Sequence, residues 1–425
     1  MKNYSYVKCL IFGELMPSKM SEKYLDFSAT TPTRKEALAE ATPFFLDKFG
    51  NPSSFHYKGL EARKAIEGAR EKIAKILNCD IKEVIFTGSG TESINLALKG
   101  IAFKALLAGK RGTFISQKTE HHAILESLHW TEKLGFKIVL LTPNKKGIIE
   151  EETLRKALQE NPDTLLVSIM YANNEIGTIQ DLKTLSKVSH EFGVPFHTDA
   201  CQGAEYLNLD VKELGIDMMT INGSKVYGFK GTGLLFKKKE LIIEPLIHGG
   251  AHEFHLRAGT ENVPGIVALA KALELAEKEK QKEGKRLTQL REHMIRRILK
   301  EIPFTYLNGT EKQRLPNNAN ISFEGVEGES ILLRLNEKGI FASTGSACAS
   351  QSLDPSHVLL GIGRSHGLAH GSIRFSLGKS TTKKQIDFTV NELKKIIKEL
   401  RQLSAAWNKN KKSGEAKLRK KKVRK

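Results

Sequence analysis

Short apolar runs rich in β-branched residues recur along the first half of the chain, and each stops at a small or polar residue. They fall at 84–87, 113–116, 137–142, 164–171, 195–199, 217–222 and 233–236. Between many of them the apolar positions take a helical spacing, which predicts helices over 91–107, 123–134, 151–159 and 182–192. Strands alternating with helices predict a largely parallel sheet covered on both faces. The stretch 165–170 is almost wholly apolar, as a strand buried from both sides would be. After about residue 275 the texture changes. A long charged helix is expected over 268–301, followed by a second α/β region that ends near 403. No internal repeat is visible.

A chain of 425 residues has room for two or three domains and a cleft between them, at roughly 150 residues per domain. The four cysteines, Cys9, Cys79, Cys201 and Cys348, share no paired spacing. A disulfide framework and a zinc ribbon are both disfavoured, and a reducing compartment fits. No run approaches the ~20 apolar residues of a membrane span. The apolar stretch 9–12 is too short for a signal-peptide core and meets Glu14 almost at once, and residues 1–22 hold no arginine. A cytoplasmic protein is expected.

The net charge of +19 suggests nucleic acid until it is located. Residues 408–425 carry ten Lys/Arg and one Glu, a net of +9, which leaves +10 (19 − 9) for the other 407 residues. The tail has few apolar residues to pack and reads as a solvated basic appendage, with a nucleic-acid contact as the alternative.

Three segments carry candidate chemistry. Phe86-Thr87-Gly88-Ser89-Gly90-Thr91-Glu92-Ser93 runs a strand into a glycine turn and then a helix. Backbone N–H groups and the positive helix end make such a turn an anion site. Serine at 93 breaks the dinucleotide fingerprint and no P-loop lysine is present, so a single phosphate is the expected ligand. In Phe196-His197-Thr198-Asp199-Ala200-Cys201-Gln202 a carboxylate ends a buried strand, where α/β folds place ligands or merely cap a helix. In Asn222-Gly223-Ser224-Lys225-Val226-Tyr227-Gly228 a lysine follows a strand among small residues, a setting for a buried amine. A phosphate cup, a strand-end aspartate and a strand-end lysine are together the parts that hold pyridoxal 5′-phosphate.

These segments resemble those of the cysteine desulfurases, in the class V aminotransferase group, of the housekeeping type that serves iron–sulfur assembly and tRNA thiolation. The likeness runs from Tyr24-Leu25-Asp26-Phe27-Ser28-Ala29-Thr30-Thr31-Pro32 to about Trp407. It implies the pyridoxal-phosphate fold type I: a large domain with a mostly parallel seven-stranded sheet and a smaller α/β C-terminal domain. The expected division is an N-terminal segment over 1–32 packing with the small domain, a large domain over 33–275, a small domain over 276–405 and the tail over 406–425.

The resemblance also implies roles. Lys225 holds the cofactor covalently and moves the α-proton, Asp199 faces the ring nitrogen, and Gly90, Thr91, Asn222 and Ser224 surround the phosphate. His121 stacks on the ring and serves as a base, Asn174 lies beside cofactor and substrate, and Gln202 meets the phenolic oxygen. Arg374 clamps the carboxylate of L-cysteine with its planar fork. Thr260 reaches the cofactor phosphate of a partner subunit, which implies a homodimer.

Cys348, in Ser343-Thr344-Gly345-Ser346-Ala347-Cys348-Ala349-Ser350, takes the substrate sulfur as a persulfide and passes it to an acceptor such as an iron–sulfur scaffold or a tRNA-thiolation enzyme. It is also a candidate transient iron–sulfur ligand. Two residues depart from the family pattern: Ser224 stands where a histidine is usual, and Phe229 where a proline is. His248, His252 and His255 have partly metal-like spacing, yet match a family loop that binds no metal. The rival readings are a selenocysteine lyase, another class V aminotransferase, or a nucleic-acid-binding protein acting through the tail.

Overall fold

The computed structural model describes residues 22–344, 354–403 and Trp407. Twelve strands are described: β1 (Lys23–Tyr24), β2 (Val84–Thr87), β3 (Thr113–Gln117), β4 (Lys137–Leu141), β5 (Thr164–Ser168), β6 (Phe196–Asp199), β7 (Met218–Asn222), β8 (Gly233–Lys237), β9 (Thr305–Leu307), β10 (Asn318–Phe323), β11 (Ile340–Phe341) and β12 (Ser372–Ser376). Seven of them form one sheet in the order β2-β8-β7-β6-β5-β3-β4. Its neighbours from β7 to β4 are parallel, while β8 runs antiparallel to both β7 and β2. This is the fold expected from the alternation of strands and helices.

Period-two alternation explains why helices cover both faces. Along β2, Val84 and Phe86 enter one core while Ile85 enters the other. Along β8, Leu234 and Phe236 are divided from Leu235 in the same way. The first core is closed by helices that include Tyr57–Leu77, Glu151–Glu160 and Leu182–Glu191. The second is closed by Gly90–Leu107 and His122–Glu132.

A third core gathers β10, β12 and the helix Lys383–Leu403, and it also takes in Leu25 from the N-terminal segment. The chain there is tied down by the parallel pair β1–β11 and by a bridge from Asp26 to Ser376. One helix, Val263–Glu301, runs unbroken past residue 275. Its first half packs in the first core and its second half, from Leu287 to Ile298, in the third. It begins five residues before the start expected from the sequence. Asn262 caps it by accepting from the Gly265 N–H at 3.1 Å, and Pro264 is tolerated because first-turn N–H groups have no partner inside the helix.

Among the described residues no helix is long and apolar enough to cross a membrane.

Candidate active site

The C-terminal ends of β6 and β7 and the turn after β2 open onto one cavity. Gly90, Thr91, His121, Asn174, Asp199, Gln202, Asn222, Lys225 and Arg374, all singled out from the sequence, line it together with Ser28, Ala29, Ile94, Met170, Ala172 and Cys201. Ser89 caps the helix that starts at Gly90, its Oγ accepting from the Glu92 N–H at 3.2 Å. That leaves the first-turn N–H groups of Gly90 and Thr91 at the positive end of a helix of 18 residues, on the cavity wall. A Cβ at Gly90 would come within 2.9 Å of Cys201 Sγ and 3.2 Å of Asn222 Cβ. Only glycine leaves this cradle open.

Asp199 ends β6 with 6% of its surface exposed, and its Oδ1 accepts from the Cys201 N–H at 2.9 Å. Lys225 follows β7, and its Nζ donates to the carbonyls of Ser28 (2.9 Å) and Ala29. The N-terminal segment wraps this lysine: Thr31 donates to the Ser224 carbonyl and accepts from the Tyr227 N–H at 2.9 Å. Gln202 Nε2 donates to the Ser28 carbonyl at 2.9 Å.

Arg374 comes from β12 of the smaller sheet and is 2% exposed. Its Nη2 donates to Asp26 Oδ1 at 2.7 Å and its Nη1 to the Asn174 carbonyl at 3.1 Å, while its buried Nε has no partner. A buried guanidinium with an unpaired donor is fit for an anion brought in from solution.

His121 is the N-cap of the helix His122–Glu132, its Nδ1 accepting from the Ala123 N–H at 3.1 Å. Burial lowers its pKa below the usual histidine value, and the Lys225 charge adds to this against Asp199. In the neutral ring the proton therefore sits on Nε2. Beside it the Glu120 carboxyl accepts from Gln117 Nε2 and the Met170 N–H, and burial lifts it to about 8.

Among the described residues, two expected ones stand outside the cavity. Ser224 Oγ turns to Asn222 Oδ1 at 3.3 Å and does not reach the lining. Thr260 is exposed and lines a separate depression with Asn51, Ser53 and His252. Cys348 lies outside the described residues, as do Cys9 and the basic tail. Among the described residues no group of three or more His, Cys, Asp or Glu side chains is placed to hold a metal ion. His252 instead meets Ser53 Oγ at 3.3 Å and accepts from the Gly259 N–H.

The lysine at a strand end, the aspartate on a neighbouring strand and the glycine cradle under a helix end fit pyridoxal 5′-phosphate. The comparisons agree. The class-V aminotransferase model matches residues 23–388. The chain belongs to the class-V aminotransferases, among their cysteine desulfurases. It is 52% identical over 395 residues to the cysteine desulfurase IscS of Dictyoglomus turgidum, covering 92% of this chain and 99% of that protein. Among solved structures it is similar to a NifS-like protein (34% identity, TM-score 0.83, 89% of this chain and 100% of the other). A structure described as SspA in complex with cysteine shares 36% identity at a TM-score of 0.74, covering 84% of this chain and 98% of that one. The fold is the pyridoxal-phosphate fold type I, and pyridoxal 5′-phosphate is the cofactor of this desulfurase.

His197, two residues before Asp199, carries a consequence for stability. It is fully buried between Ser168 Oγ (2.8 Å) and Thr220 Oγ1 (3.1 Å), and burial lowers it to about 4. The unfolded chain binds a proton near pH 6.5 and the folded chain does not, so its contribution is whole above that pH and lost as pH falls from 6.5 to 4. In urea titrations the stability gap between the unsubstituted chain and His197→Gln is expected to narrow by roughly 3 kcal/mol over that window. A gap that stays constant with pH would contradict a neutral buried imidazole.

Proposed function

We propose that the cavity takes sulfur from L-cysteine, yields L-alanine and leaves the sulfur as a persulfide on Cys348. When bound, the cofactor supplies a protonated ring that accepts the electron pair released at the substrate Cα. The work of the chain is to hold and orient. Lys225 attaches the cofactor and its amine takes the Cα proton. Asp199 presents its buried carboxyl group to the ring nitrogen, Gly90 and Thr91 present N–H groups to the phosphate, and Asn222 and Gln202 close the sides.

Arg374 takes the substrate carboxylate. Asp26 and the Asn174 carbonyl hold two arms of its fork, so little side-chain entropy remains to be lost on binding. His121, neutral with its proton on Nε2, presents a hydrogen-bond donor to the cavity, and it can take up a proton, as the base expected from the sequence, at Nδ1 once that atom gives up the Ala123 N–H. In the sulfur step a bond forms between the Cys348 thiolate and the substrate sulfur. The substrate C–S bond breaks, and its electron pair stays with the carbon fragment, which is protonated on its way to alanine.

The observation that carries the choice of Cys348 concerns the other thiols among the described residues. Burial pushes Cys79 up to about 12 and raises Cys201 well above its ordinary value, so neither offers a thiolate near neutrality. Both flanks of the segment that holds Cys348 are fixed at the cavity. Ser343 pairs with the backbone of Arg374, and Ser356 Oγ donates to Glu175 beside Asn174. Cys348 is four residues past Thr344, a reach of at most about 14 Å.

We further propose that two copies pair through the face bearing Phe45, Leu46, Phe49, Phe55 and Tyr57. These side chains are exposed, with Phe55 at 87%. The exposed Thr260 would then serve the partner's phosphate. The split into a large domain to about 275 and a small one to about 405, and a reducing, cytoplasmic setting that keeps the thiol available, are part of the same reading. The persulfide goes to an acceptor of the iron–sulfur or tRNA-thiolation kind, and the tail is a solvated appendage.

A substrate held by its carboxylate can be tested without trapping any intermediate. The unsubstituted chain should favour L-cysteine over cysteamine, which lacks the carboxylate, by at least about 100-fold in kcat/KM, the worth of a charge-assisted pair near 3 kcal/mol. Arg374→Ala should lose that preference, chiefly through KM. A preference kept in Arg374→Ala would place the carboxylate elsewhere.

A further inference from the structure

Residues 253–255 make one turn of left-handed helix. Glu253 (φ 46°, ψ 46°), Phe254 (φ 57°, ψ 38°) and His255 (φ 66°) are consecutive and none is glycine. In this conformation the Cβ of an L residue crowds the following carbonyl, so isolated residues visit it and runs do not. Such a run persists only where its surroundings over-determine it.

The surroundings are a buried ion pair. The Glu253 carboxylate accepts from Arg70 Nη1 (2.9 Å), from Arg70 Nη2 (2.8 Å) and from the Phe86 N–H (2.7 Å). Both side chains are buried, at 9% and 2% exposure. The Arg70 guanidinium lies over the rings of Phe86 and Phe254, 4.7 and 4.9 Å from their centroids, and donates to the Val84 carbonyl. One pair thus ties the helix Tyr57–Leu77, strand β2 and the left-handed turn together.

Just beyond that turn, Arg257 Nε donates to Glu92 Oε1 at 2.8 Å, and Glu92 Oε2 accepts from the Gly88 N–H at 2.8 Å. Glu92 stands in the first turn of the helix whose end receives the phosphate. Its carboxylate would repel a phosphate there unless a cation neutralised it, and Arg257 does so. The clamped turn therefore holds the phosphate segment twice: at Phe86 through Glu253, and at Gly88 through Arg257 and Glu92.

We propose that Arg70 and Glu253 are positioning residues for cofactor phosphate binding: they lock the left-handed turn 253–255 and thereby seat Arg257 on Glu92. The inference rests on the reading of the cavity as a pyridoxal 5′-phosphate site. The test compares the affinity of the cofactor-free full chain for pyridoxal 5′-phosphate and for pyridoxal, which lacks the phosphate. Glu253→Gln should weaken the first about tenfold, the size of one charge at a first helical turn, and leave the second unchanged. Arg257→Gln, at a half-buried site that does not put the fold at risk, should give the same selective loss. Glu92→Gln added to either should restore most of it.

Equal weakening for both ligands, or an unchanged ratio in Arg257→Gln, would overturn the positioning role. If the unsubstituted chain bound pyridoxal as tightly as its phosphate, the phosphate site itself would be wrong.

Discussion

Lys225→Ala is expected to lower desulfuration by about 10⁴-fold, the upper range for loss of a positioned proton acceptor, with loss of covalent attachment added to it. The side chain stands where β7 ends, its Nζ held by the Ser28 and Ala29 carbonyls on the cavity wall. No other lysine lines that cavity among the described residues. Removing the amine leaves those two carbonyls short of one donor, a cost of about 1–2 kcal/mol. The variant should therefore fold and melt within a few degrees of the unsubstituted chain. Borohydride reduction of the loaded chain followed by peptide mapping should label Lys225. A label on any other lysine would remove the assignment.

Cys348→Ala is the second large effect. The residues that line the cavity among those described lie elsewhere in the chain, and the variant should bind L-cysteine with its ordinary affinity and give the same spectral change on mixing. Alanine formation should fall on the order of 10²-fold or more, because the nucleophile proposed to receive sulfur is gone. Cys79 and Cys201 are poor replacements, since burial raises both thiols above the ordinary value. Near-normal turnover in the variant would mean that sulfur leaves without a protein acceptor.

The sheet could be read from the sequence because its strands are buried on both faces. Leu166 and Val167 enter opposite cores, so the run is apolar throughout, and the loops between such runs end in the glycines, aspartate and lysine of the site. The residues that sit on one strand end or one turn were therefore legible: Asp199, Lys225, Gly90. What could not be read are partners brought together only by folding. Asp26 orients Arg374 across 348 residues, and Arg70 meets Glu253 across 183. No spacing rule links positions so far apart, and an aspartate followed by Phe-Ser-Ala reads as an ordinary turn. Glu120 was hidden differently. It lies next to His121 in sequence, but only the buried environment shows that its carboxyl is raised to about 8 and supports the Met170 backbone. The Ser224 hydroxyl faces Asn222 because its own loop offers a nearer acceptor than the cavity does.

The most direct test of sulfur removal from L-cysteine is a product balance on the full chain loaded with pyridoxal 5′-phosphate. In a single turnover without reductant, one L-alanine per site should appear together with one extra sulfur atom on the peptide that contains Cys348, read by mass spectrometry. Pyruvate and ammonia in place of alanine, or alanine with the extra sulfur on no peptide or on a different cysteine, would contradict it.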